Sequence, residues 1–354
     1  MQSDMRLGVL RGDGIGPELV DSALGVLEAV AAAEGFAVRV EEVPGGAEHY
    51  RRTGEPLEPG ALDRVRGLDG LLKGPVGLPD VRRPDGTEGG LLGGVLRTGL
   101  DAYANVRPVR LLPGVTGATR HGPGEIDYVI VRENTEGLYL SRGLGVVTPA
   151  AACDQLMVTR EGVRRVARFA FELARTRSGA PSDGRHRVTC VDKSNVLRSY
   201  ALFREVFDEV AADYPDVAAE HRYADAAAHA LVAEPERFDV LVMENFLGDI
   251  LSDLGAATVG GLGMCASGNI GATAAYFEPI HGSAPTIAGR DLANPVSQVL
   301  SAGMLLEHAG RGAAARRLRG AVERAFADGA VRLRADGGVE GGTRAATEAI
   351  VARV

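Results

Sequence analysis

Tryptophan is absent from this 354-residue chain, and cysteine and lysine are scarce. The three cysteines, Cys153, Cys190 and Cys265, are far apart and form no C-x-x-C pair. That pattern fits buried or spectator thiols in a reducing cytoplasm better than a disulfide framework or a thiolate zinc site. No apolar run approaches the roughly 18 residues a bilayer span requires. The opening "MQSDMRLGVLRGDG" has neither a signal-peptide apolar region nor a transit-peptide composition, so a cytoplasmic location is expected. A net charge of −8, without a basic stripe or an aromatic platform, argues against nucleic-acid and acidic-membrane partners. With 45% hydrophobic and 24% charged residues, the chain reads as a soluble globular protein of about two domains.

Of the 39 basic residues only Lys73 and Lys193 are lysine. Arginine serves wherever a positive charge alone suffices, but it cannot give up its proton at useful pH. A retained lysine therefore points to a site that needs lysine chemistry.

Strands alternate with helices along the chain. "RLGVL" (6–10) reads as a buried strand, followed by a glycine-rich turn and a helix with Pro17 in its first turn and Gly35 at its end. Further strands are expected at 37–43, 70–73, 127–133, 187–192 and 238–243, and helices at 158–177, 199–213, 225–233 and 295–309. This alternation predicts a layered α/β architecture. "GDGIGP" is not a Rossmann fingerprint, because Pro17 stands where G-x-G-x-x-G needs its third glycine. A nicotinamide cofactor would need other loops.

The stretch "GDILSDLG" (248–255) sets Asp249 and Asp253 four residues apart. On a helix the two carboxylates lie one above the other, a like-charge arrangement that costs about 0.2–0.5 kcal/mol. A divalent cation such as Mg²⁺ or Mn²⁺, which takes hard oxygen ligands, resolves this; the plainer alternative has Asp249 capping the helix and Asp253 facing water. Asp225, ahead of an apolar helix, reads by itself as an N-cap. Arg97 and Arg107 lie on either side of a short helix-like segment, and Arg132 ends a strand that leads through a polar turn to Tyr139. Such arginines suit a substrate with several carboxylates, gripped by forked hydrogen bonds, although in an arginine-rich chain any one of them also reads as a surface charge. In "VDKSNV" Lys193 follows an apolar strand, the position where catalytic groups sit in α/β proteins. Together these residues suggest acid–base chemistry on a polycarboxylate.

The chain resembles the metal-dependent β-decarboxylating dehydrogenases: isocitrate, homoisocitrate and 3-isopropylmalate dehydrogenases, with tartrate dehydrogenase alongside. The resemblance runs nearly end to end through "GDGIGPE", "LDAYANVRP", "VRENTEGLY", "DKSNV", "GDILSDL", "GGLGMCASGNIG", "FEPIHGSAP" and "LANP". It implies an isopropylmalate dehydrogenase-like two-domain α/β fold. Residues 1–102 plus 260–354 would form a discontinuous cofactor-binding domain, and 103–259 a smaller domain carrying the interface of a homodimer with shared active sites. Arg97, Arg107 and Arg132 would hold the carboxylates of a malate core. Asp249, Asp253 and, from the partner subunit, Asp225 would bind Mg²⁺ or Mn²⁺. Lys193, also from the partner, would help deprotonate the C2 hydroxyl, and Tyr139 would protonate C3 after CO₂ leaves. Asn195, Glu278, the loop His281, Gly282, Ser283, Ala284 and Pro285, then Thr286 and Asn294 would contact the nicotinamide cofactor.

Two departures bear on specificity. Before Arg97, isocitrate enzymes present serine and asparagine to the substrate's γ-carboxylate; here Leu91 and Gly93 take those places. Isopropylmalate enzymes pack a leucine there. This chain has Leu91 and Leu92, but Gly93 and Gly94 occupy the packing positions, implying an open pocket. Homoisocitrate enzymes usually carry extra arginines after Arg97, where this chain has Thr98 and Gly99; Arg82 and Arg83 are surface-loop candidates for a distal anion. The second departure is Thr286, where NAD-dependent members have an aspartate and NADP-dependent members often a lysine. NAD is expected over NADP, with Arg332 a residue that would favour NADP. The alternatives are a tartrate- or D-malate-type dehydrogenase and a non-catalytic regulatory paralogue, which would be expected to lose the lysine, the tyrosine or a metal aspartate.

Overall fold

Strand β1 (Met5–Leu10) is the chain's first regular element in the computed structural model, which describes residues 4–354. It leads to α1 (Gly16–Glu34), β2 (Val38–Glu42), α2 (Ala47–Thr53), α3 (Ala61–Arg66), β3 (Gly70–Lys73) and α4 (Gly93–Gly99). The middle of the chain forms β4 (Ala104–Arg110), β5 (Asp127–Glu133), the short pair β6 (Val146–Val147) and β7 (Ala152–Cys153), then α5 (Arg160–Thr176) and β8 (Arg187–Asp192). Next come α6 (Arg198–Ala211), β9 (Ala218–Tyr223), α7 (Ala224–Ala233), β10 (Val240–Met243) and α8 (Asn245–Thr258). The chain closes with β11 (Ala266–Ile270), β12 (Ala275–Pro279), α9 (Val296–His308), α10 (Gly312–Ala327) and α11 (Gly342–Val351).

The chain divides into two compact units. The first comprises the described residues up to Asp101 together with Leu112–Thr116 and Gly260–Val354; the second comprises Ala102–Leu111 and Gly117–Val259. In the first, strands run in the order β2-β1-β3-β12-β11, parallel except for β11. In the second the order is β4-β5-β10-β8-β9, parallel except for β4. β8 and β10 are buried along their whole length. That burial is why β10 (VLVM) is a continuous apolar run rather than an alternating one, whereas β8 (RVTCVD) buries Arg187, Thr189 and Asp192 beside its apolar residues.

Local chemistry accounts for the helices that were legible. α1 starts with Pro17 in its first turn and ends at Gly35 in the left-handed conformation, φ 76°. In α5, Val163, Val166, Ala167, Ala170, Phe171 and Ala174 make one buried stripe, and the Thr159 side chain caps the helix by accepting from Gly162 N. "GDGIGP" is a close-packing turn: a Cβ on Gly14 would lie 2.0 Å from Ser283 O, and one on Gly12 2.1 Å from Pro75 O. Asp13 is buried inside it and accepts from the backbone N–H groups of Ala47, Glu48 and Gly77 at 2.8–2.9 Å.

Several expectations change. Arg97 and Arg107 do not flank a helix; Arg97 lies in the last turn of α4 and Arg107 within β4. Tyr223, not Asp225, is the N-cap residue of α7, and Asp225 sits in its first turn. Leu92 is fully buried core, which leaves only the half-buried Leu91 from the leucine pair. β11 and β12 escape a propensity reading because "ASGNI" and "AYFEP" contain Gly, Asn and Pro; antiparallel pairing with each other defines them. The three cysteines are unbridged, Cys190 and Cys265 buried and Cys153 exposed. No helix among the described residues is long and apolar enough to cross a membrane.

Candidate active site

In the second unit, α8 carries the paired aspartates, and its start is set by Glu244. This buried carboxylate accepts from Phe246 N at 3.0 Å and Leu247 N at 3.3 Å, capping the helix, and also from Leu138 N at 3.2 Å and Tyr200 Oη at 2.9 Å. Glu244, not Asp249, is therefore the cap. One glutamate thus ties the helix to the turn that precedes Tyr139. Burial, then the adjacent charge of Glu244, pushes the Tyr200 phenol up. Gly137 (φ 83°) makes room, because a Cβ there would fall 2.0 Å from Glu244 Oε1. Gly248 does the same for Arg132, whose Cβ and Cγ would lie 2.6 Å from an added Cβ.

Arg132 is 1% exposed, so its charge is tolerable only if its donors are matched. Its Nε and Nη2 donate to Asn245 Oδ1 at 2.9 and 2.7 Å, and Nη1 donates to Asp249 Oδ1. Arg107, also buried, donates from Nε to Asn105 Oδ1 at 2.8 Å, and from Nη1 to Ser252 Oγ at 2.6 Å and Asp253 Oδ1 at 3.3 Å. Its Nη2 lies 3.7 Å from Asp249 Oδ1. The Tyr139 phenol donates to Asp249 Oδ2 at 2.7 Å, its ring edge-on to Phe246. Arg107, Arg132, Tyr139, Asp249 and Asp253 are thus one constellation. Partial burial holds the Asp253 carboxyl above its ordinary range, outweighing the opposing pull of Arg107, and the neighbouring charge of Asp249 adds a smaller push in the same direction. Two hard carboxylates one helical turn apart on one helix are of the donor type that fits a Mg²⁺ or Mn²⁺ ion.

Lys193 follows β8 directly, and its Nζ donates to Asp225 Oδ1 at 2.6 Å. Asp192, fully buried at the strand end, accepts from Ser194 N and from Arg204, fixing the turn that presents the lysine. Asn195 on this turn is exposed, beside the exposed apolar Val196 and Leu197. Among the described residues no three His, Cys, Asp or Glu side chains gather into a metal cluster, so the single chain does not bring Asp225 to Asp249 and Asp253.

The first unit carries the remaining residues. Arg97 is half-buried on α4. Glu278 on β12 is held by Lys73 Nζ at 2.5 Å and Asn269 Nδ2 at 3.1 Å. Lysine 73 is thus accounted for by a buried ion pair. A cleft of about 400 Å³ is walled by His281, Gly282, Ala284, Asn294 and the apolar Ile15, Ile287, Leu292 and Ala293. Ser283 anchors its loop, donating to Gly77 O and accepting on its own carbonyl from Ile15 N. Ala284 is held at φ 35°, a left-handed conformation costly for a residue with a Cβ. Pro285 and Thr286 are exposed and do not line this cleft, nor does Arg332; Arg334 and Asp336 do. An apolar wall opposite polar loop groups suits a nucleotide base and ribose.

Sequence reasoning missed Glu244, Asn245, Asn105, Ser252 and Asn269, which orient the charged groups. Glu244 alone had a local signal, a carboxylate directly ahead of an apolar helix; the others are recruited from distant elements.

The family model for isocitrate/isopropylmalate dehydrogenase matches residues 6–353. A 3-isopropylmalate dehydrogenase of Frankia casuarinae is 44% identical over 358 residues, covering 99% of each chain. One of Corynebacterium efficiens is 44% identical over 327 residues, covering 90% of this chain and 92% of the relative. The solved isocitrate dehydrogenase of Methylococcus capsulatus superposes with a TM-score of 0.86 at 38% identity, covering 99% of both chains. A β-decarboxylating dehydrogenase of Thermococcus kodakarensis gives a TM-score of 0.81 at 37% identity, covering 99% of this chain and 96% of that one. The chain is an enzyme of the isocitrate/isopropylmalate dehydrogenase family.

Proposed function

We propose that this enzyme oxidatively decarboxylates a 3-substituted malate, of the (homo)isocitrate or 3-isopropylmalate type, to a 2-oxo acid and CO₂, using NAD⁺ and Mg²⁺ or Mn²⁺. One observation carries the reading: Asp249 receives the Tyr139 phenol and the buried Arg132 together, with Asp253 one turn further along α8 and Arg107 beside both. Proton donor, anion-binding cations and metal-type carboxylates therefore share one place.

Arg107 and Arg132, with Arg97, bind the substrate carboxylates. Asp249 and Asp253, with the partner subunit's Asp225, hold the metal. When bound, the metal supplies Lewis-acid polarisation of the C2 oxygen and NAD⁺ accepts the hydride. Lys193 Nζ takes the proton of the C2 hydroxyl, and Tyr139 Oη delivers a proton to C3 once CO₂ has left. Lys193 and Asp225 serve the other subunit's site. The reading is supported by their pairing with each other and by the exposed apolar side chains Val196, Leu197, Tyr223 and Val232 close to them in sequence, of the kind a second copy would cover.

A smaller substrate, tartrate or D-malate, is the second reading. It is favoured by Gly93 and Gly94, where an added Cβ would meet nothing within 4 Å, so no side chain there grips a C3 substituent. Turnover of 3-isopropylmalate, isocitrate, homoisocitrate, D-malate and tartrate, each with Mn²⁺ and each nicotinamide cofactor, tests both readings. A kcat/KM preference for one 3-substituted malate is expected, abolished reversibly by a chelator. Metal-independent turnover would remove the aspartates from their assigned role, and no turnover of any substrate would revive a regulatory paralogue.

A further inference from the structure

The cleft of the first unit contains an ion pair with no counterpart among the expected cofactor contacts. Arg334 donates to both oxygens of Asp336, from Nε at 3.1 Å and from Nη2 at 2.9 Å, and Gly338 N adds a bond to Asp336 Oδ1 at 3.0 Å. Backbone bonds from Arg334 N to Gly338 O (2.8 Å) and from Gly337 N to Arg334 O (3.0 Å) close the turn. Asn294 Nδ2 fastens it by donating to Gly337 O at 3.2 Å. A Cβ at Gly338 would lie 2.4 Å from Arg334 Nη2, so a side chain there would displace the fork. Both charged residues line the same cleft as Ile15, Leu292 and Ala293, whereas Thr286 does not.

We propose that the Arg334–Asp336 pair sets the discrimination between NAD⁺ and NADP⁺: Asp336 accepts from the adenosine ribose hydroxyls, and Arg334 is committed to Asp336 rather than to a 2′-phosphate. The inference rests on the reading of this cleft as the nucleotide site. A ribose diol offers donors to a carboxylate already oriented by a bidentate guanidinium. A 2′-phosphate has only acceptors. To receive it, Arg334 must leave one forked anion for another, which gains little, while the Asp336 charge remains as repulsion. The carboxylate missing at Thr286 is thereby supplied from the C-terminal region.

Because the chain has no tryptophan, titration calorimetry is the direct assay, with NAD⁺ and NADP⁺ binding to wild type, Asp336→Asn and Arg334→Gln and no turnover required. Wild type is expected to prefer NAD⁺. Asp336→Asn, which frees Arg334 and removes the repulsion, should shift the affinity ratio toward NADP⁺ by about tenfold or more, the size of one charge-assisted hydrogen bond. Arg334→Gln should shift it the other way by leaving the carboxylate uncompensated. Both side chains are partly exposed, at 35% and 65%, and both variants should keep the wild-type melting temperature within a few degrees. Nucleotide binding with an unmoved ratio, or with both variants moving it the same way, overturns the pair's role. Absence of binding of either nucleotide to wild type overturns the cleft assignment as well.

Discussion

Replacing Gly248 by alanine sets two effects of known sign against each other. In a helix interior, Gly→Ala gains about 0.8–1 kcal/mol of propensity. At Gly248 the new Cβ would lie 2.6 Å from Arg132 Cβ and Cγ and 3.1 Å from Cδ. Carbon atoms in contact settle near 3.5–4.0 Å, so α8 and the Arg132 stem must separate by roughly 1 Å. Overpacking of that kind costs about 1–3 kcal/mol, and the movement strains the bonds from Arg132 to Asn245 and Asp249. The expected net is a destabilisation of about 1 kcal/mol. The functional effect should be larger, because a displacement near 1 Å of positioning groups costs about a hundredfold in rate. Gly25 in α1 is the internal control, since an added Cβ there meets nothing within 4 Å and Gly25→Ala should stabilise by about 0.5–1 kcal/mol. Urea unfolding midpoints and kcat/KM of the two variants decide the matter. If Gly248→Ala is as stable as Gly25→Ala and fully active, the tight seat of α8 on Arg132 is refuted.

Lys193→Ala should keep the fold, because the lysine is partly exposed, yet lower kcat by about 10²–10⁴; near-normal turnover in a folded protein removes it as the proton acceptor. Lys73→Met leaves Glu278 without its buried cation and should cost about 3 kcal/mol, with most of it recovered in Lys73→Met/Glu278→Gln. Equal loss in the single and double variants, read from unfolding midpoints, would contradict a pairing role. Burial pushes the Glu133 carboxyl up from its ordinary 4.5, outweighing the bonds it accepts from Thr135 and Glu136. Its contribution to stability is then greatest below that ordinary value and declines as pH rises through the raised one. Glu133→Gln should therefore gain on wild type as pH climbs from about 4.5 toward neutrality; a pH-independent gap between the two would rule this out.

The chain's local chemistry determined a great deal by itself. A buried parallel strand reads as a continuous apolar run, as in β10, because both of its faces are covered. α1 and α5 were legible from Pro17, Gly35 and one apolar stripe, since caps and periodicity act within a few residues. The scarcity of lysine marked two positions, and tertiary structure separated them: Lys73 is spent on the buried Glu278, while Lys193 stands partly exposed beside Asp225. Asp249 and Asp253 were visible as a like-charge pair from their spacing alone. What offsets their repulsion in the single chain was not visible, because Arg107 and Arg132 arrive from β4 and β5, more than a hundred residues earlier. Glu244 capping α8, Asn245 holding Arg132 and Asp336 holding Arg334 in the cleft are likewise decisions of packing. A buried charge needs whichever partner the fold delivers to it, and no local sequence pattern specifies that partner.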